Sequence, residues 1–170
     1  SIFKNDVNFL AARFADFTDL SGVRFEKFAT FTRSRFDDIV DFSRAKFANE
    51  TKFYYASFAN SANFCQARFY AKTDFRKCVF DGYTDFSSAS FLGVALFDES
   101  QFNKATRFTN STFQKKIHHF LKPISIGVPI LRLLDLVQCL TSQMLHLASL
   151  PYPGMQSMDA SYMIRQLNYL

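Results

Sequence analysis

Glycine, histidine and cysteine are all scarce in this chain, and each shortage removes a class of chemistry. Five Gly are spread along 170 residues, so no Gly-rich loop is available to cradle a phosphate. The three His are His118, His119 and His146. Two adjacent imidazoles and a distant third do not make a metal set, and Cys139, seven residues before His146, adds one ligand on nearly the same helical face. The three Cys, Cys65, Cys78 and Cys139, form no evident disulfide pair, which fits a reducing compartment. Acidic excess is missing too: residues 1–115 hold 16 Lys and Arg against 13 Asp and Glu, and the whole chain carries +5. Asp37, Asp38 and Asp41 cluster without a nearby His or nucleophile. No catalytic residue, metal or cofactor is expected, and the chain is not read as an enzyme.

What the chain does have is phenylalanine, 23 of them, and their order fixes the architecture. One series runs Phe3, Phe14, Phe25, Phe36, Phe47, Phe58, Phe69, Phe80, Phe91, Phe102, Phe113. A second runs Phe9, Leu20, Phe31, Phe42, Phe53, Phe64, Phe75, Phe86, Phe97, Phe108. Each series steps by eleven residues, and together they alternate steps of six and five. Only Phe17, Phe28 and Phe120 stand outside this ladder. Two residues before each ladder position sits a small residue, for example Val23, Ala29, Ser34, Thr51, Cys78 or Thr84. Residues two apart in an extended segment share a face. Large and small therefore both point inward, and the interior is a stack of Phe rings bordered by small side chains.

These residues resemble the pentapeptide-repeat family in its Phe-centred form, as in Thr51-Lys52-Phe53-Tyr54-Tyr55-Ala56-Ser57-Phe58 and Thr84-Asp85-Phe86-Ser87-Ser88-Ala89-Ser90-Phe91. The likeness spans residues 3 to 113. It implies an all-β solenoid, a right-handed four-sided β-helix with one repeat per side. The family's usual step is five residues throughout, so the sixth residue on every second side implies a coil of 22 residues with wider corners at two opposite sides. A flat two-sided coil of 11 is the competing form, and period alone does not exclude it. At a strand spacing of about 4.8 Å, the four-sided form gives a rod on the order of 25 Å long. The ends of such a stack expose apolar interior and unpaired backbone unless something covers them. At the N-terminal end the ladder begins at once, which leaves further chain or a partner to cover it.

The composition changes after Phe113, dividing the chain into a β-helix over 1–115 and a helical C-terminal segment over 116–170. Leu131, Leu134, Val137, Leu140, Met144 and Leu147 recur near helical spacing across Val128 to Leu150. Pro151-Tyr152-Pro153-Gly154 ends that helix, and Met155 to Leu170 reads as a second, shorter one. The first is long enough to span a bilayer, but Arg132 and Asp135 inside it argue for a soluble amphipathic helix. It is expected to cap the rod and to mediate self-association as a homodimer, with Leu134, Val137 and Met144 in the contact.

Charge separates the functional readings that the resemblance carries. Its best known members are acidic rods that look like duplex DNA and bind topoisomerases such as gyrase; a basic rod argues against that role. Binding nucleic acid directly would rest on rows such as Arg24, Lys46 and Arg68, or Arg13 and Arg35. Asp19, Asp41 and Asp85 with Asn63 would form an acidic column on the same rod, and mixed rows read as an ordinary solvated face. Outward aromatics are the better clue. Phe17, Phe28 and Ile39 occupy the extra position of the six-residue sides, and Tyr54, Tyr55, Tyr70 and Tyr83 also project outward, so Phe17, Phe28, Ile39, Tyr54 and Tyr55 are the candidate contact surface. The expected function is a non-catalytic protein-interaction module in the cytoplasm. The alternatives are a gyrase-binding rod and the soluble domain of a membrane protein anchored through 128–150.

Overall fold

The computed structural model describes residues 1–114. Every element in that range is a two-residue strand, and all strand pairing is parallel between a residue and the one 22 positions later: Phe3 opposes Phe25, Phe14 opposes Phe36, and Thr51 opposes Thr73. That register decides between the two coils that the period leaves open. Each turn of the solenoid takes 22 residues and has four sides; the flat 11-residue coil is ruled out.

Side 1 stacks Ile2–Phe3, Arg24–Phe25, Lys46–Phe47, Arg68–Phe69, Ser90–Phe91 and Thr112–Phe113. Side 2 stacks Val7–Asn8, Ala29–Thr30, Thr51–Lys52, Thr73–Asp74 and Ala95–Leu96. Side 3 runs from Arg13–Phe14 through Arg35–Phe36, Ser57–Phe58 and Val79–Phe80 to Gln101–Phe102. Side 4 runs from Thr18–Asp19 through Val40–Asp41, Ala62–Asn63 and Thr84–Asp85 to Thr106–Arg107.

Because identical residues stack in register, the Phe rings have no choice but to lie over one another at the strand spacing. Phe53 lies 4.7 Å from Phe75 with planes 3° apart, and Phe58 lies 4.6 Å from Phe80 with planes 2° apart. Rings of opposite sides 2 and 4 meet edge to face, as Phe42 does with Phe53 at 5.5 Å and 85°, and so do rings across a six-residue corner, as Phe36 does with Phe42 at 6.0 Å and 81°. Both geometries are favourable for aromatic quadrupoles and contribute about 0.5–1.5 kcal/mol per pair beyond area burial. From Phe25 to Phe86 every ladder ring is essentially fully buried. The first coil has only one neighbour: Phe3 is 36% exposed, and Phe9, Phe14 and Leu20 are half-buried.

The small inward residues that are polar find carbonyls. Ser34, Cys78, Ser100 and Ser111 donate to Phe31, Phe53, Phe75 and Phe86 oxygens, and the Thr51, Thr73 and Thr84 hydroxyls donate two residues back, to Asn49, Ala71 and Gly82 oxygens. These inward hydroxyls are thereby satisfied without displacing a ring. Cys78 is buried, and desolvation raises its thiol well above the usual range, so it is an inert packing residue.

The two step lengths make two kinds of corner. After sides 2 and 4, where the step is five, the chain turns through a β-turn: Ser34 N–H donates to Phe31 O at 3.0 Å and Arg33 takes φ 56°. The same left-handed position recurs at Ala11, Gly22, Arg44, Tyr55, Gln66, Lys77, Ser88, Glu99 and Asn110. A positive φ at the third residue is the mark of a type II turn. After sides 1 and 3 the step is six, and no residue in those corners has a positive φ.

The helical segment expected over 116–170, and with it Leu134, Val137 and Met144, lies outside the described residues. Among the described residues no helix is long and apolar enough to cross a membrane.

Candidate interaction surface

With the interior filled, the chemistry of the rod is carried by outward columns that repeat every coil. The acidic column stands on side 4, where Asp19 opposes Asp41 and Asn63 lies between Asp41 and Asp85. Its role is set by the adjoining turn. Each of these residues turns its Oδ1 back to accept the amide two residues on, at Ser21, Ser43, Cys65 and Ser87. This is the Asx turn, the local bond that suits Asp and Asn to such positions. Hydrogen bonds from Ser21, hydroxyl first and then amide, hold the Asp19 carboxyl below its usual range. Asn8 and Asp74 do the same on side 2. The column ends at Arg107, which faces Asp85 at 4.0 Å.

On side 3 the predicted pairing of Arg13 with Arg35 is present. Like charges one strand apart are held by Asp37, which accepts from Arg13 Nε at 2.5 Å and also from Arg35 Nε. The two guanidinium groups, Arg13 foremost, hold the Asp37 carboxyl below its usual range.

The five outward aromatic and aliphatic candidates fall on three different corners. Phe17 and Ile39, 59% and 41% exposed, stand one above the other between sides 3 and 4. Phe28 is half-buried between sides 1 and 2, with Lys52 Nζ 5.3 Å over its ring. Tyr54 and Tyr55 meet edge-on at 4.7 Å between sides 2 and 3. They are covered from the next coil by cations, Arg76 over Tyr54 at 5.4 Å and Lys77 over Tyr55 at 5.2 Å. Arg76 is itself clamped by the buried Asp74, through Nε at 2.9 Å and Nη2 at 2.7 Å, and Lys77 reaches Glu99 at 3.6 Å. That corner is a closed ladder of ring, cation and carboxylate. No single face collects the five.

The corner between sides 4 and 1 differs from the others. An open groove of about 680 Å³ runs along it, lined by the turn residues Gly22, Arg44, Gln66 and Ser88 and by the outward side 1 residues Lys46, Arg68 and Ser90. The turn residues are held one over the next by the backbone. Gly22 N–H donates to Ser43 O, Arg44 N–H to Cys65 O, and Gln66 N–H to Ser87 O, at 2.7–2.8 Å. Lys46 lies between Arg24 and Arg68 in the side 1 register. Arg24 pairs with Glu26 at 3.4 Å, whereas among the described residues no carboxylate lies within ion-pair distance of Arg44, Lys46 or Arg68. The column Arg24, Lys46, Arg68 is legible in the sequence. The second column, Arg44 over Gln66 and Ser88, is signalled only by the same 22-residue spacing two positions earlier.

Among the described residues no group of His, Cys, Asp and Glu is arranged to hold a metal ion. Cys65, half-buried beside the groove corner, has its thiol raised by burial and by the nearby Asp85 and Asp41, so it carries little thiolate.

Comparison with known proteins agrees with the geometry. No curated protein and no solved structure matches the chain. Residues 31–79 match the model of pentapeptide repeats in nine copies, the stretch in which rings from all four sides are fully buried. By that match residues 31–79 are pentapeptide repeats, and the Phe ladder carries the same four-sided, 22-residue stacking through the described residues on either side.

Proposed function

We propose that this protein is a non-catalytic interaction module, a rigid rod that docks protein partners through its outward columns and self-associates through the segment 116–170. The observation that supports this reading is the division between inside and outside. The interior is a continuous stack of rings, from Phe25 through Phe86 fully buried, and leaves no room for a substrate. The outside offers rows of side chains at a fixed axial spacing, a geometry suited to recognising an extended or repetitive surface. The acidic column does not favour the gyrase-binding alternative, because Asn63 interrupts it, Arg107 ends it, and its carboxylates bind the rod's own turns.

Light scattering coupled to size exclusion tests the self-association, on the intact chain and on a version ending at Lys115, at several concentrations. A dimer of the intact chain beside a monomer of the shorter one supports it. A monomer of the intact chain at every concentration refutes it.

A further inference from the structure

The groove between sides 4 and 1 gathers three cations that no carboxylate among the described residues balances. Several other cations are matched on the spot, Arg13 and Arg35 by Asp37, Arg76 by Asp74, Lys77 by Glu99, Lys52 and Lys72 by Glu50, and those without an ion pair among the described residues, such as Lys27, Arg33 and Lys104, do not line this groove. Arg44, Lys46 and Arg68 have no such partner among the described residues, and they line one groove with the neutral donors Gln66, Ser88 and Ser90. We propose that this groove is a docking site for an extended acidic segment of a protein partner, running along the rod axis with its carboxylates against Arg44, Lys46 and Arg68. The proposal deepens the interaction-module reading, rests on it, and names the surface and the partner's chemistry.

Charge complementarity and width select this occupant. Successive rows lie about 4.8 Å apart along the axis, so Lys46 and Arg68 together meet one or two carboxylates of an extended chain. A wide polyanion is disfavoured. Asp41 and Asp85 stand across the corner on side 4, and a nucleic-acid duplex broad enough to cover both faces would be pressed against them. A single peptide strand fits along the side 1 edge of the corner. The groove is open rather than enclosed, which suits a chain more than a small metabolite. Gly22 gives the groove a floor without a side chain at its lower end, where the other three turn positions carry Arg, Gln and Ser.

The test uses the intact chain and a fluorescein-labelled ten-residue peptide of alternating Glu and Ser, followed by anisotropy at 50 and 300 mM salt. The expected result is saturable binding that weakens at the higher salt. The double substitution Lys46→Glu and Arg68→Glu is expected to weaken binding by at least about tenfold. A charge-matched double substitution elsewhere, Lys27→Glu with Lys104→Glu, leaves it unchanged. Circular dichroism and thermal unfolding check that all three chains are folded, and the milder pair Lys46→Gln and Arg68→Gln gives the same order of effect if charge reversal disturbs the stack. The proposal is overturned if the peptide does not bind, if both double variants lose binding equally, or if a 20-base-pair duplex binds the same residues more tightly than the peptide. A groove that fails this test leaves the light-scattering result standing, and the reverse also holds.

Discussion

The rod has two kinds of corner built on one ladder of Phe, and their difference explains where its surface is free to vary. At the five-residue corners after sides 2 and 4 the backbone is over-determined. A turn hydrogen bond closes each bend, an amide donates to the coil above, and in most coils an Asx side chain accepts from the residue two on. The tip residue has only to tolerate a left-handed φ, and Arg, Tyr, Gln, Lys, Ser, Glu, Ala and Asn all do so here. A left-handed L-residue costs about 1–2 kcal/mol in isolation, and the stack bears that cost at nine positions. The corners thus become the variable columns that carry the groove and the Tyr-cation ladder. At the six-residue corners the tip varies as well, but in two coils its backbone lies hard against the neighbouring coil. Asp38, Asn49 and Asn60 each accept the next residue's amide. In later coils the same position becomes Gly82 and Gly93, where a Cβ would sit 2.2 Å from the backbone carbon of Asn60 or Ala71.

The benchmark for breaking this comparison is the ladder that both corners share. Phe58→Ala, deep in the stack, is expected to cost about 3–5 kcal/mol in urea unfolding. Phe14→Ala on the same side, in the half-buried first coil, is expected to cost clearly less. Equal losses would mean that the rod does not unfold as neighbour-coupled coils. Next in size, Gly82→Ala or Gly93→Ala is expected to cost about 2–3 kcal/mol, since backbone of the adjacent coil must move to admit the methyl group. If the same unfolding assay finds either substitution neutral, the six-residue corners are as permissive as the others and the contrast is lost.

Much of this was legible in the sequence, and the legible part has a physical reason. The ladder and its small neighbours are inward, and inward positions in a parallel in-register stack admit little besides a ring or a small residue. The coil length was not legible from the period alone, because two and four sides of the same period are indistinguishable until one knows which strands pair; the resemblance implied 22 residues, and the offset from Thr51 to Thr73 bears that out. Nor was the left-handed column every eleven residues. It holds one Gly and one Asn among ten residues, so the usual turn signal is absent where stacking, rather than local preference, enforces the bend. The surface reading was partial for a similar reason. Phe17, Ile39 and Tyr55 are exposed as their positions imply, but what the sequence did not show is that Phe28, Tyr54 and Tyr55 each have a cation of the next coil over the ring. That coupling depends on the 22-residue register.

The Asx turns make a smaller, pH-dependent prediction. Asp41→Ala removes the acceptor for Ser43 N–H and is expected to cost about 1 kcal/mol, whereas Asp41→Asn, as Asn63 shows in the same column, retains the bond. The carboxyls of Asp19 and Asp37 lie below their usual range when folded. A depressed folded pKa contributes stability that is present above the unfolded value and is lost as pH falls through the folded one. Urea midpoints are therefore expected to be flat at neutral pH and to fall below about pH 4. Asp37→Asn is expected to lower the neutral plateau slightly and to flatten the acid decline. An unchanged acid limb in that variant would separate Asp37 from the acid response.

The smallest effect bears most directly on the corners. Arg33 occupies a five-residue tip at φ 56°, is exposed, and among the described residues makes no side-chain hydrogen bond or ion pair that its removal would break. Arg33→Gly relieves the left-handed cost of about 1 kcal/mol and adds unfolded-chain entropy worth about 0.4–1 kcal/mol. The two nearly cancel, so the urea midpoint is expected to stay within about 0.5 kcal/mol of the parent, or to rise. Gly82→Ala, the converse exchange at a six-residue corner, is expected to fall by several times that amount. Measured together, the pair isolates corner type from residue type. If Arg33→Gly instead destabilises the rod as much as Gly82→Ala does, the five-residue tip is held by its side chain and not by the turn, and its freedom to carry binding residues has another origin.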